Sequence, residues 1–427
     1  MVIASLFGLL FGLMLFGVPV AVALGASTII TTYFFSDINL MGIPSEIFDG
    51  LNKYTLMAIP MFILAGSFLS RGSSATRIIE FAKTLVGHLP GGLPMAAILA
   101  AIIFAAVSGS SPATVAAIGS VMYGAIKQAG YSEQFAIGTI ATSGSLGILI
   151  PPSIVFIVFG VTADESIGKL FMAGIVPGLL IGGMMMIATY FLAKKSGFKA
   201  TQRASFKEQF VAFKNAFWAL MIIVIVIGGI YGGIFTPTEA GAFSVMYAFF
   251  VSFFIYRDTK IKDLYSILLD SATTSAMIFF IIANAMLFAH FLTDEQIPQH
   301  ITQIIMDAEV GPLTFLLIVN ILLLIMGQFM EPSSVIMITV PLLLPIAIAL
   351  GIDPIHFGVI MVVNMEIGMI TPPVGLNLFV ASSITGLSLK QVVVASLPMT
   401  LVLLFGLLLV TYLPFISLWL PNLMFGY

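Results

Sequence analysis

Apolar residues fill this chain in long blocks, and the polar positions between the blocks set its plan. Residues 2–16, 18–35, 54–70, 132–160, 166–193, 215–235, 237–256, 271–292, 355–385 and 391–420 read as membrane spans, since a helix needs about 20 apolar residues to cross the hydrocarbon core. The first two are short and meet at Gly17-Val18-Pro19, so one kinked helix is an alternative there. Two further apolar pairs, 90–107 with 112–127 and 311–328 with 332–350, turn sharply at Ser108-Gly109-Ser110-Ser111-Pro112 and at Glu331-Pro332. Each pair is either two full spans or a re-entrant hairpin whose tip stops inside the membrane. Segments 72–87 and 294–309 mix polar and apolar positions and read as interfacial helices.

Composition agrees with a bilayer as solvent. The 427 residues are 60% hydrophobic and only 8% charged, against about 25% charged in a soluble domain. A net charge of -3 gives nucleic-acid binding no support, and the absence of cysteine excludes disulfides, thiol catalysis and cysteine-held metals. Met1–Phe16 lacks the basic start and small-residue cleavage site of a signal peptide, so it reads as a retained first span. Basic residues then give sidedness, because loops on the cytoplasmic side are enriched in them. Taking both pairs as hairpins that enter and leave on one face puts 14 of the 16 basic residues inside, among them Arg71, Lys127, Lys199 and Lys390. Only Lys53 and Lys169 fall outside, where the acids Asp37, Glu46, Asp49, Asp294, Glu295, Asp307 and Glu309 gather. Both termini are then periplasmic. Double spans in place of hairpins give the same sidedness.

Proline and glycine reveal a repeat. Pro19 and Pro94 match Pro237 and Pro312 at an offset of 218, and Pro112 matches Pro332 at 220. Gly130, Gly147, Pro151, Pro152 and Pro177 match Gly351, Gly368, Pro372, Pro373 and Pro398 at 221. The expected fold is therefore an all-α polytopic membrane protein of two repeats, 1–213 (hairpin 90–127, broken span 132–160) and 214–427 (hairpin 311–350, broken span 355–385). Each repeat crosses five times, an odd number, so the second is inverted. Inverted repeats with discontinuous helices mark many secondary transporters, whose site lies at the midplane between the repeats.

The chemistry concentrates in the two hairpin tips and the two broken spans. A Pro-Pro pair within a span removes two backbone donors, and the carbonyls so freed need protein, water or an ion as partner. Candidates for holding substrate are Ser108, Ser110, Ser111, Thr114, Ser143, Ser145, Gln328, Ser333, Ser334, Asn364 and Asn377. Candidates for sodium are Ser108, Ser110, Gly147, Pro151, Gly327, Glu331, Gly368 and Thr371, which offer the hydroxyl, carboxylate and loop-carbonyl oxygens that hard cations take. Helix N-termini after each break suit an anion. No lysine or arginine lies between Lys262 and Lys390 or between Lys83 and Lys127, so an anion there has no cationic clamp. Glu331 and Glu366 are intramembrane carboxylates, each either a proton carrier or a hydrogen-bonded brace. Glu239 reads as structural, the four histidines show no metal spacing, and no catalytic set is present.

These motifs resemble the large membrane subunit of the tripartite ATP-independent periplasmic (TRAP) transporters along essentially the whole length. The most specific words are Ser108-Gly109-Ser110-Ser111-Pro112-Ala113-Thr114, Phe235-Thr236-Pro237-Thr238-Glu239-Ala240-Gly241-Ala242 and Gly368-Met369-Ile370-Thr371-Pro372-Pro373-Val374-Gly375-Leu376-Asn377. The resemblance implies a sodium-driven importer in the bacterial inner membrane that moves an organic anion by an elevator motion. It implies two partners besides the lipid bilayer, a separate small membrane subunit and a periplasmic substrate-binding protein. Implied substrates are carboxylates such as C4-dicarboxylates and sialic acid, with the wording nearest the sialic-acid branch. A stand-alone sodium- or proton-coupled carrier of divalent anions, needing no binding protein, is the competing reading.

Overall fold

A computed structural model describes residues 2–36, 38, 40–198 and 202–426, so Asp37 and Lys199 of the charge argument lie outside the described residues. Every regular element among the described residues is helical. Helices α1 (Val2–Leu15) and α2 (Val20–Phe35) come first, followed by α3 (Ile43–Leu51), α4 (Ala58–Arg71) and α5 (Ser74–Val86). A hairpin of α6 (Gly92–Ser108) and α7 (Ser111–Gln128) precedes the broken pair α8 (Glu133–Ser143) and α9 (Ile154–Ala163), then α10 (Ile167–Lys195). The second half runs α11 (Phe206–Tyr231), α12 (Pro237–Phe250), α13 (Ile261–Asp294) and α14 (Ile297–Asp307). A second hairpin, α15 (Pro312–Gly327) and α16 (Pro332–Ala349), precedes the broken pair α17 (Pro354–Gly368) and α18 (Leu376–Thr385), then α19 (Leu389–Tyr412) and α20 (Phe415–Phe425).

Local chemistry explains where these helices begin. Pro237, Pro312, Pro332 and Pro354 each open a helix, a position where the missing N–H costs nothing and φ is already helical. Ser205 with Glu208, Thr236 with Glu239 and Ser388 with Gln391 close capping boxes at the starts of α11, α12 and α19, satisfying backbone donors that the helix leaves orphaned. Glu239 is thus structural, as its place at a span junction suggested. The amphipathic segments 72–87 and 294–309 are the helices α5 and α14.

Seven helices among the described residues are long and apolar enough to cross a membrane, and shorter apolar helices accompany them. Large apolar side chains cover the outside: Leu317, Ile321 and Ile325 on α15 and Leu401, Phe405 and Leu408 on α19 are all exposed. A water-soluble monomer does not tolerate an apolar surface of that extent.

The structure sharpens three of the sequence readings. Gly17, with φ +81°, lets α1 and α2 fold back on each other, so the pair is a helical hairpin and not one kinked helix. The apolar run 391–420 is two helices, because Leu413 leaves helical geometry ahead of Pro414. The run 271–292 starts a further ten residues earlier, at Ile261, extending α13 to 34 residues. A further short helix, α3, lies between α2 and α4.

Helices α2, α4, α12 and α13 pack on one another as one layer. The hairpins, the broken pairs, α10 and α19 pack together as a second group, which meets the first through α4 on α6 and α13 on α16. Both hairpin tips and both breaks lie within this second group.

Candidate functional site

The first tip is built around Ser108 and Gly109. Gly109 closes α6 at φ +59°, a conformation glycine enters without penalty, and a Cβ there would lie 2.6 Å from the Pro152 carbonyl. Ser108 Oγ and Thr114 Oγ1 share a hydrogen bond of 2.9 Å, and Thr114 Oγ1 donates to the Ser110 carbonyl. Ser111 Oγ donates across to the Gly144 carbonyl at 2.9 Å. Gly147 packs on the same tip, since a Cβ there would meet the Ser110 carbonyl at 2.7 Å. The first break therefore rests directly on the first tip, and Ser143–Ser153 are buried throughout.

The second half repeats the contact with other chemistry. Gly368 lies against Gly327, where a Cβ on Gly368 would come within 2.8 Å of Gly327 backbone atoms. Val374 N–H donates to the Gln328 carbonyl at 3.1 Å. Glu331 caps α16, accepting from Ser334 N–H at 3.2 Å and from Ser333 Oγ at 2.9 Å. Unlike the first break, this elbow is open, with Pro372, Pro373 and Leu376 exposed alongside Phe329 of the tip. Both Pro-Pro bonds, 151–152 and 372–373, are cis.

Two side-chain contacts join these halves into one cluster. Asn377 Nδ2, just past the second break, donates to Ser111 Oγ at 2.7 Å. Ser145 Oγ, in the first break, lies 3.0 Å from Glu366 Oε1 and 2.7 Å from the Thr142 carbonyl. Asn377 Oδ1 and Glu366 Oε2 are buried with no hydrogen-bond partner. Buried polar oxygens are rarely left so, and neither has a partner among the described residues.

Not every candidate joins this cluster. Ser143 and Thr371 hydroxyls donate to their own helices, at the Ile140 and Ile367 carbonyls, and the Gln328 amide turns back to the Leu324 carbonyl. Asn364 points elsewhere, donating 2.7 Å to Asn320 Oδ1. Asn320 in turn donates to Thr411 Oγ1 at 3.0 Å, while His356 bridges Ser417 Oγ and the Thr411 carbonyl. This buried polar column through α15, α17, α19 and α20 was missed in the sequence. A lone Asn320 inside an apolar hairpin arm was its available signal.

Residues 7–416 match the family described as tripartite ATP-independent periplasmic transporter, DctM component. The chain belongs to this family. It is 49% identical to the C4-dicarboxylate TRAP transporter large permease protein of Vibrio cholerae, over 100% of this chain and 99% of that one. The protein of the same name in Pseudomonas aeruginosa is 51% identical over 94% of each. The sialic acid TRAP transporter large permease of Vibrio cholerae is 37% identical over 100% and 99%. The nearness to the sialic-acid branch is thus not upheld, as the dicarboxylate relatives share far more residues. Among solved structures, the YdaH transporter of Alcanivorax borkumensis superposes with a TM-score of 0.59 at 14% identity, covering 90% of this chain and 88% of that one. That likeness is one of fold. A membrane transporter family and these apolar helices make the chain a multi-pass inner-membrane protein, the large permease of a TRAP transporter.

Proposed function

We propose that this large permease carries a C4-dicarboxylate inward, driven by sodium, between the two hairpin tips and the two helix breaks. The observation that carries the reading is the single cluster formed by the four irregular segments, tied across by Asn377 to Ser111 and by Ser145 to Glu366. Buried oxygens without partners suit a hard cation, and Ser108, Ser110 and the carbonyls around Gly147, Gly327 and Gly368 surround the same cluster. The identity to dicarboxylate relatives supports the substrate class.

An inverted repeat is supported by the recurrence of one element order, amphipathic helix, hairpin, broken helix, long helix, in α5–α10 and α14–α19. Ser145 and Glu366 add a second support. They stand 221 residues apart, at the offset that relates Gly147 to Gly368, and they touch each other. Residues equivalent by a two-fold operation meet only near its axis. On this reading the hairpins are re-entrant, both termini are periplasmic, and the tips and breaks move as one block against the α2–α4–α12–α13 layer. A periplasmic binding protein delivers the dicarboxylate, and a small membrane subunit completes the tripartite assembly. A fused permease named DctMQ among the relatives, of which this chain covers 65%, is consistent with a small subunit.

The test is uptake of a radiolabelled four-carbon dicarboxylate into vesicles holding the permease with its partner proteins. Uptake should require an inward sodium gradient. Full uptake on a proton gradient without sodium would overturn the coupling, and full uptake without a binding protein would favour the stand-alone carrier.

A further inference from the structure

Two cavities lie side by side along α5 and the start of α11, and neither is lined by a residue of the tips or breaks. The larger, about 650 Å³, is lined by Lys83, His88, Leu93, Tyr131, Arg203 and Glu208 among others. The smaller, about 440 Å³, is lined by Arg77, Glu80, Lys207, Glu208 and Val211. We propose that this double cavity holds the phosphodiester headgroup of an anionic phospholipid.

The charges decide for an anion. Both acids are already engaged: Glu80 Oε1 pairs with Lys83 Nζ at 2.7 Å, and Glu208 Oε2 takes Ser205 N–H and Oγ at 2.7 and 2.8 Å as the cap of α11. Arg77 lies with its guanidinium 4.1 Å over the Tyr256 ring and donates from Nε to Ser73 Oγ at 2.8 Å, neither of them an acid. The Arg203 and Lys207 side chains have neither ion pair nor hydrogen bond among the described residues. His88 Nδ1 is buried on the wall of the larger cavity without a partner among the described residues. Positive charge is thus left over at both cavities, and the larger one adds an orphaned imidazole nitrogen.

The surroundings decide for a lipid. Phe206, 83% exposed, and Phe210 and Val211, also exposed, project from the same turns of α11 that carry Lys207 and Glu208, and Leu85 is exposed on α5 beside them. Free phosphate has no use for that apolar lip, whereas acyl chains bury it. Basic pockets at the cytoplasmic ends of membrane helices recognise such headgroups. The leaflet assignment alone rests on the proposed sidedness.

The experiment is native mass spectrometry of the detergent-purified full-length permease titrated with phosphatidylglycerol. Each cation near a phosphate adds about fivefold in affinity, so the double variant Arg203→Gln/Lys207→Gln should bind roughly 25-fold more weakly. Lys260→Gln/Lys262→Gln, two charges outside the cavities, should bind as the parent does. Phosphatidylcholine should not be retained, and inorganic phosphate should not displace phosphatidylglycerol. Equal loss in both double variants, unchanged binding in the first, equal retention of phosphatidylcholine, or displacement by inorganic phosphate would each overturn the proposal. Matching circular dichroism of parent and variants excludes misfolding as the cause of any loss, and the phosphate arm is independent of the transport reading.

Discussion

Ser111 is where three of the four irregular segments meet, because it accepts from Asn377 and donates to Gly144. A buried hydrogen bond contributes about 1 kcal/mol, and orphaning one partner costs more than removing both. Ser111→Ala and Asn377→Ala should therefore each reduce uptake, while the double variant falls short of their sum by about 1 kcal/mol. Strict additivity of the two effects would mean the contact is not made in the working cycle. Glu165 gives a different kind of prediction, since it lies in the loop between α9 and α10. Burial raises its pKa above the ordinary carboxylate value, and the Asp353 charge adds to that, with Lys169 opposing. As pH rises the unfolded chain loses this proton first, so the native state is left binding more protons and its stability falls. Glu165→Gln should then melt with the parent in acid and above it at neutral pH. A variant that melts lower than the parent at neutral pH would contradict this sign.

The elements show which parts of the fold could be read in the sequence. Gly147 and Gly368 were recognisable as a matched pair, and the structure gives the reason: each sits where a helix break touches a hairpin tip too closely for a side chain. Gly147→Ala and Gly368→Ala should each destabilise by about 1–3 kcal/mol through overpacking and abolish most uptake. Gly124→Ala, with nothing within 4 Å of the added carbon, should instead stabilise by about 0.5–1 kcal/mol. Thermal unfolding of the three variants checks this ordering. Hairpins and breaks were legible because proline and glycine mark them locally. The fold-back of α1 on α2, and the column from Asn364 to Ser417, depend on which helices become neighbours. Local pattern carries no such information. For the same reason Ser333 reads as a site hydroxyl, whereas its Oγ donates to Glu331, the cap of α16.

At the scale of the whole molecule, the acids around α3 and α14 divide into those that hold the fold and those that engage no other described side chain. His290 Nε2 stands 3.3 Å from Glu46 and 3.2 Å from Asp294, and Ser36 Oγ donates to Glu295 at 2.5 Å. These contacts tie α3 and the end of α2 to the corner between α13 and α14. Beside them a cavity of about 570 Å³ separates α3 and α13 from the second hairpin, with Pro341 and Pro345 on its far wall. On the proposed motion that cavity changes shape, so a partner bridging its two walls would favour one state over the other, as any ligand-driven shift requires. Asp307 and Glu309 are exposed at the end of α14, which packs on α16 of that hairpin. Their carboxylates are not engaged by any other described side chain. Asp307→Lys/Glu309→Lys should therefore lower binding-protein-dependent uptake several-fold, most at low salt, because exposed rim charges act mainly on encounter. Glu295→Lys should instead lower the yield of folded permease, since it breaks the contact to Ser36. Uptake by the Asp307/Glu309 variant that equals the parent at low salt, with the binding protein limiting, would remove this end of α14 from the docking surface.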